Sequence, residues 1–341
     1  MVKIIMDCLG GDHSPGANLL GSLKAMERFP DLYMMFVGDE KVISELLTEN
    51  GAEKNYAGRY EIIHAPDVIT GEDKPTDAIR LKKDASMIRA IRMLREDPEI
   101  SGMVSAGATG ALVAAATLRI GRIRGIRRPA FCPILPTMNG GIVGICDTGA
   151  NVDITPEFLQ QYAVMGSLYL KKVYGIEAPR VALLNIGTES EKGDDLRKQA
   201  YPLLKGTPGI HFVGNMESRD LLSGKYDLVV CDGFSGNVLV KTTEGTSLEL
   251  LKRLKKDMMS DLRSKIGALF LKHTIMKEVQ FMNYQNYGGS VLLGCEKTVV
   301  KGHGSSKPEA IFKCVEQAYR METGKLNAEM AAVIKALYGE E

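Results

Sequence analysis

Several protein classes are excluded by what this sequence lacks. Its charges nearly cancel, with a formal net charge of +1 at pH 7, so there is no electrostatic case for a nucleic-acid partner. Six cysteines are present, Cys8, Cys132, Cys146, Cys231, Cys295 and Cys314, but no two form a C-x-x-C pair. They lie mostly in apolar runs, which argues for reduced, buried thiols in a cytoplasmic protein and against a structural zinc site. Residues 1–6 are too short for the apolar region of a secretory signal and read as a first strand. Two charge-free windows approach membrane length, residues 101–118 and 129–146. Glycines and hydroxyls break the first, and three prolines with Gly140-Gly141 break the second, so neither reads as a spanning helix. Internal repeats, low-complexity segments and polar linkers are also missing. At 341 residues the chain can bury a substantial core, and it reads as one domain, residues 1–341, with a helical projection over residues 245–285.

What is present is an alternation of apolar strands and amphipathic helices, joined by loops rich in glycine and polar groups. The stretch Asp232-Gly233-Phe234-Ser235-Gly236-Asn237 follows the apolar run 226–231 and precedes Leu248, Leu251, Leu254 and Met258, whose spacing is helical. It therefore reads as strand, glycine-rich turn, helix. Gly233 and Gly236 permit positive φ and close backbone approach. The first N–H groups of such a helix are unpaired and suit an anion such as phosphate, with Lys241 adding a full charge. Asp-Gly chosen for turn geometry alone is the plain alternative.

Other strand ends repeat the arrangement. Residues 2–6 run into Asp7-Cys8-Leu9-Gly10-Gly11-Asp12-His13, with Pro15 where a helix begins. In open α/β sheets ligands collect at that edge. His13 suits acid–base work or donation to phosphate; the alternative is that Asp12 caps the helix and His13 is merely exposed. A strand at 102–105 enters Ala106-Gly107-Ala108-Thr109-Gly110, which matches neither the P-loop nor G-x-G-x-x-G. Residues 130–135 and 142–146 read as strands, the latter ending in Asp147-Thr148-Gly149-Ala150-Asn151. The strand at 180–186 leads to Asn185, Gly187, Glu189 and Lys192, and the strand at 210–213 to Gly214-Asn215. Residues 77–95 read as one helix with a basic, solvated side, and residues 248–282 as a long helical segment with a wide apolar face. That segment suits a dimer interface, with membrane contact at its tip as a second use.

Eight stretches, in order, resemble the signature blocks of the PlsX family of bacterial phosphate acyltransferases. They are residues 7–13 with Pro15, 105–111, 147–151, 184–193, 214–220, 232–245, Gly288-Gly289 with Leu292-Leu293-Gly294, and 303–306. The resemblance implies a three-layer α/β/α fold with a largely parallel sheet, similar to phosphotransacetylases and isocitrate-dehydrogenase-like enzymes. It also implies reversible transfer of a fatty acyl group from acyl carrier protein to inorganic phosphate, giving acyl phosphate for phospholipid synthesis. A homodimer without metal or nucleotide cofactor, peripherally attached to membrane, goes with it. The downstream membrane glycerol-3-phosphate acyltransferase is an expected partner. Ala108 stands where the family pattern has Asn, Asn283 where it has Asp, and Ser290-Val291 where it has Ala-Pro, so no ligand role passes to position 108.

Phosphate is itself the nucleophile in such a reaction, so no serine or cysteine triad is required, and none is legible. The protein must hold a dianion beside a thioester and stabilise the carbonyl oxygen as it gains charge. His13, Lys192, Asp232, Asn237 and Lys241 are the expected catalytic residues, with the amides of Asn151, Asn185 and Asn237 as oxyanion donors. Substrate binding is expected from Asp7, Gly10, Gly11, Asp12, Ser105, Gly107, Thr109, Gly110, Asn151, Asn185, Gly187, Glu189, Asn215, Gly233, Phe234, Gly236, Gly288, Gly289, His303, Gly304 and Ser305. No metal ligand is expected. Two rivals are a nicotinamide-dependent dehydrogenase, for which Asp7, Asp12 and Asp232 are the only tempting metal cluster, and a non-catalytic membrane scaffold.

Overall fold

Apolar strands ending in polar turns lie side by side in the computed structural model, which describes residues 1–282 and 287–339. The strands divide between two sheets rather than forming one. The first has the order β3 (Tyr60–His64), β2 (Leu32–Gly38), β1 (Val2–Asp7), β4 (Ile100–Ser105), β12 (Thr298–Lys301), β11 (Ser290–Leu293), β5 (Ala130–Cys132). The second runs β6 (Ile134–Pro136), β7 (Ile142–Cys146), β10 (Leu228–Val230), β8 (Arg180–Asn185), β9 (His211–Glu217). Pairing is parallel except for β11 with its two neighbours and β6 with β7. The run at 130–135 is thus two strands in two sheets. Pro133 has no N–H for a ladder, and the chain changes sheet there.

Helices cover both sides. Ile4, Met6, Met34 and Phe36 share one core with α1 (Gly16–Arg28) and α11 (Pro308–Thr323). Their neighbours Ile5, Met35 and Val37 turn to the other face, against α5 (Ser86–Glu96) and α6 (Thr109–Ala115), as the two-residue period of a strand requires. The first core is continuous with the second sheet through Cys146, Val181, Leu183 and Val230 under α7 (Pro156–Tyr174). It thereby fixes the two sheets to each other. The remaining helices are α2 (Glu40–Glu49), α3 (Ala52–Asn55), α4 (Pro75–Leu81), α8 (Asp195–Gly206), α9 (Gly233–Met258), α10 (Leu262–Met282) and α12 (Leu326–Tyr338).

Two expected helices differ. The helix over 77–95 is two, α4 and α5, because Ser86 N donates to Asp67 O and the Ser86 hydroxyl to Asp7, which pins the start of α5 to the sheet edge. On its basic side Arg80 pairs with Asp77, Lys82 with Asp73 and Arg89 with Asp84. The segment 248–282 breaks after Met258; Asp261 caps a new helix by accepting from Ser264 N at 2.9 Å. The Ala-rich helix after Ser105 ends as a π-turn, Ala116–Ile120. Helix α8 is unsignalled in sequence because Pro202 sits inside it. Asn283 lies outside the described residues. Among the described residues no helix is long and apolar enough to cross a membrane.

Candidate active site

The parallel strands of both sheets deliver their carboxyl ends to one cleft. In the first sheet Asp7, Ser105 and Lys301 end β1, β4 and β12 in register. Asp7 is buried and fully engaged, accepting from the hydroxyls of Ser86 and Ser105, each at 2.6 Å. Burial raises its pKa against those bonds. Gly10 and Gly107 let the two loops touch: a Cβ on Gly10 would stand 2.5 Å from Gly107 N. Asp12 N donates to Gly304 O at 2.8 Å and joins the β1 loop to the β12 loop. The side chain of Asp12 does not cap α1, whose N-cap is Pro15 without a side-chain bond; Asn18 instead holds the loop, donating to Asp7 O and Gly10 O.

In the second sheet Asp147 organises the turn after β7. Its buried carboxylate accepts from the N–H groups of Phe131, Thr148, Ala150 and Asn151. That turn packs on the start of α9. Gly233 N donates to Asn151 O at 2.7 Å, and a Cβ on Gly233 would lie 2.5 Å from that oxygen. A Cβ on Gly236 would fall inside the carbonyl of Asp147. Both glycines are helical, so close approach and not positive φ requires them.

The start of α9 is not the open anion seat expected of it. Asp232 accepts from Ser235 N at 2.8 Å and pairs with Arg197 at 2.5 Å, and Gly233 N is taken by Asn151. Burial opposes the charge on Asp232, yet the bonds from Ser235 and Arg197 outweigh it and leave its pKa low. Asp7 and Asp232 thus end strands of different sheets, each with its own protein partners, and form no carboxylate cluster with Asp12. Among the described residues no group of three or more His, Cys, Asp or Glu is placed to hold a metal.

What faces the cleft is a polar cavity of about 330 Å³. Of the expected site residues it brings together Thr109, Asn237, Lys241, Gly288, Gly289, His303 and Gly304. His13 and Ser305 line an adjoining apolar cavity. Asp7, Gly10, Gly11, Asp12, Ser105, Gly107, Asn151, Asp232, Gly233 and Gly236 build the loops behind. Phe234 is 63% exposed, and Gly110 packs on Pro75. Gly187, Glu189 and Lys192 stay on the β8 loop, outside the cavity. There Asn185 donates to Lys192 O and Asn215 to Glu189 O, so these amides hold a loop. Asn151 is likewise spent on Pro129 O and Asp147. Of the three amides expected as oxyanion donors only Asn237 lines the cavity.

Sequence reasoning missed Lys301, Glu244 and Thr148. Lys301 is 8% exposed and donates to the carbonyls of Ala106 and Gly302. Burial pushes its pKa down to about 8. The signal was a lysine closing an apolar strand directly before Gly-His-Gly. His303 is lowered by burial and by the charges of Lys301 and Lys241; its Nδ1 accepts from Ser305 N, which leaves the ring proton on Nε2. Glu244, one turn beyond Lys241 on α9, is raised by burial to about 7 against the pull of Lys241. Gly288 and Gly289 present backbone opposite them, and a Cβ on Gly288 would meet Gln317 Oε1 at 2.6 Å. Two lysines and the His303 imidazole thus converge on glycine backbone.

The fold is that of the phosphotransacetylases. A phosphotransacetylase from Streptococcus pyogenes superposes with a TM-score of 0.61 at 18% identity, covering 94% of each chain. A branched-chain phosphotransacylase from Enterococcus faecalis V583 superposes with a TM-score of 0.58 at 16% identity, covering 94% of this chain and 98% of that one. The sequence narrows this further. The model of a family described as "Fatty acid synthesis protein" matches residues 2–328. Proteins named phosphate acyltransferase from Bacillus cereus (strain B4264) and Bacillus cytotoxicus are each 45% identical over 334 residues, 98% of this chain and 98% of theirs. The chain belongs to this family of phosphate acyltransferases and is an enzyme of acyl transfer involving phosphate.

Proposed function

We propose that the enzyme transfers a fatty acyl group reversibly from acyl carrier protein to inorganic phosphate, forming acyl phosphate for phospholipid synthesis. The observation that carries this reading is the convergence of Lys241, Lys301 and His303 on one polar cavity walled by Gly288, Gly289 and Gly304. Phosphate sits between the two lysines and the His303 imidazole. One of its oxygens attacks the thioester carbon, the C–O bond forms, and Asn237 and backbone N–H groups receive the charge that develops on the carbonyl oxygen. The C–S bond then breaks and its electron pair leaves on sulfur. An ordinary thiolate has a pKa of about 8.5, so the ammonium of Lys301, at about 8, is matched to protonate it. An acyl-enzyme is disfavoured: Cys8 and Cys231 are buried, and burial holds both thiols well above their usual range.

The same reading treats residues 1–341 as one domain in a cytoplasmic homodimer. Residues 245–285 project from it for dimerisation and peripheral membrane contact, and the product passes to a membrane glycerol-3-phosphate acyltransferase. Exposed Leu250, Leu254, Leu262, Leu269 and Phe270 support the projecting role. The test is to incubate the protein with palmitoyl-acyl carrier protein, with and without inorganic phosphate, and to trap acyl phosphate with hydroxylamine. Phosphate-dependent hydroxamate is the expected outcome. Folded protein that yields none, with both substrates intact, refutes the reading.

A further inference from the structure

Beside the polar cavity lies a second one of about 380 Å³, and the two share Leu135 and Glu244. Its walls are Leu135 and Met138 from the β6–β7 segment, Leu222, Leu248 and Leu251 on α9, and Phe281 on α10. Met138 is 60% and Leu248 49% exposed, so the cavity presents apolar surface to water until something fills it. Its volume is at the lower end of small-molecule sites, about 300–1,000 Å³, and too small for a helix of a protein partner.

We propose that this cavity takes the fatty acyl chain of the thioester and that its extent along α9, past Ser247 to Leu251, sets the preferred chain length. The inference rests on the acyl-transfer reading above and adds to it the part of the site that measures the substrate. A thioester carbon held near Lys241 and Lys301 must send its alkyl chain into adjoining space, and the cavity beyond Glu244 adjoins directly. Helix α9 lines both: Lys241 faces the polar end and Leu251 the apolar end, about 15 Å apart at 1.5 Å of rise per residue. Glu244 stands at the junction. Burial holds its carboxyl near pH 7, so that at and below neutrality much of it is uncharged where the chain passes.

Each methylene that finds room here is worth about a fourfold gain in kcat/KM. The experiment compares palmitoyl- and butyryl-acyl carrier protein as donors for wild type, Leu251→Trp and Met138→Trp. The second variant fills the cavity from an exposed turn and so does not depend on the helix tolerating a large side chain. The palmitoyl-to-butyryl ratio of kcat/KM is expected to fall at least tenfold in both variants. A ratio unchanged in the variant that folds and turns over overturns the proposal. Wild type that transfers neither acyl group to phosphate refutes the acyl-transfer reading instead, so the two failures are distinct.

Discussion

Replacing Lys301 by methionine should make the protein more stable and much less active. The side chain is 8% exposed, and burial moves its pKa from 10.5 to about 8. That displacement means that keeping the ammonium charged in the fold at neutral pH costs about 3 kcal/mol. Methionine removes that cost but leaves the carbonyls of Ala106 and Gly302 without this donor, about 1 kcal/mol each. The variant is therefore expected to be about 1 kcal/mol more stable at pH 7. The pH dependence separates this account from simple repacking. Below pH 8 folded and unfolded wild type both carry the proton and the cost is fully present. Between pH 8 and 10.5 the unfolded chain binds a proton that the folded protein has lost, so wild-type stability rises with pH relative to the variant, by about 2 kcal/mol from pH 8 to 9.5. The chain has no tryptophan, so urea unfolding is followed by circular dichroism. A variant less stable at pH 7, with a wild-type-to-variant difference that does not move with pH, would refute the reasoning.

Three further outcomes follow from particular contacts. Glu244, raised to about 7 by burial, is largely neutral at pH 6 and largely charged at pH 8, where it repels phosphate. The phosphate KM of wild type should exceed that of Glu244→Gln about fivefold at pH 8, for roughly 1 kcal/mol of repulsion, and match it at pH 6. Arg197→Met strands the Asp232 carboxylate, only 9% exposed; a loss of about 3 kcal/mol in urea unfolding is expected, and Asp232→Asn in the same background should recover part of it. Gly236→Ala drives a methyl into the Asp147 carbonyl and should cost at least about 2 kcal/mol, read as a lower unfolding midpoint.

Much of the fold was legible because strands in parallel sheets are buried on both faces and stand out as apolar runs ended by glycine and polar turns. Residues 2–6 and 226–231 read as strands for that reason. Topology was less accessible. Nothing near Thr298–Lys301 says that β12 inserts between β4 and β11, and that insertion is what carries Lys301 and His303 into the cleft. A single lysine at a strand end has the same local signature whether it meets solvent or a cavity. The glycines of α9 were read as a phosphate cradle because Asp-Gly-x-x-Gly before a helix fits both an anion and a neighbouring backbone. The neighbour here, the Asp147 turn, comes from 85 residues earlier, Asp147 to Asp232, and local pattern cannot reveal it. The polar residues on the β8 loop misled for a related reason: an Asn after a strand looks alike whether its amide serves a ligand or its own loop.

On the proposed mechanism Lys241, Lys301 and His303 enclose the phosphate. The most direct test is the KM for inorganic phosphate of Lys241→Ala and Lys301→Met, measured at saturating palmitoyl-acyl carrier protein. A charge-assisted hydrogen bond is worth about 1.5–3 kcal/mol, so each phosphate KM is expected to rise at least tenfold, with the carrier-protein KM moving about twofold or less. A phosphate KM unchanged in both folded variants would contradict the account and put the anion elsewhere in the cleft.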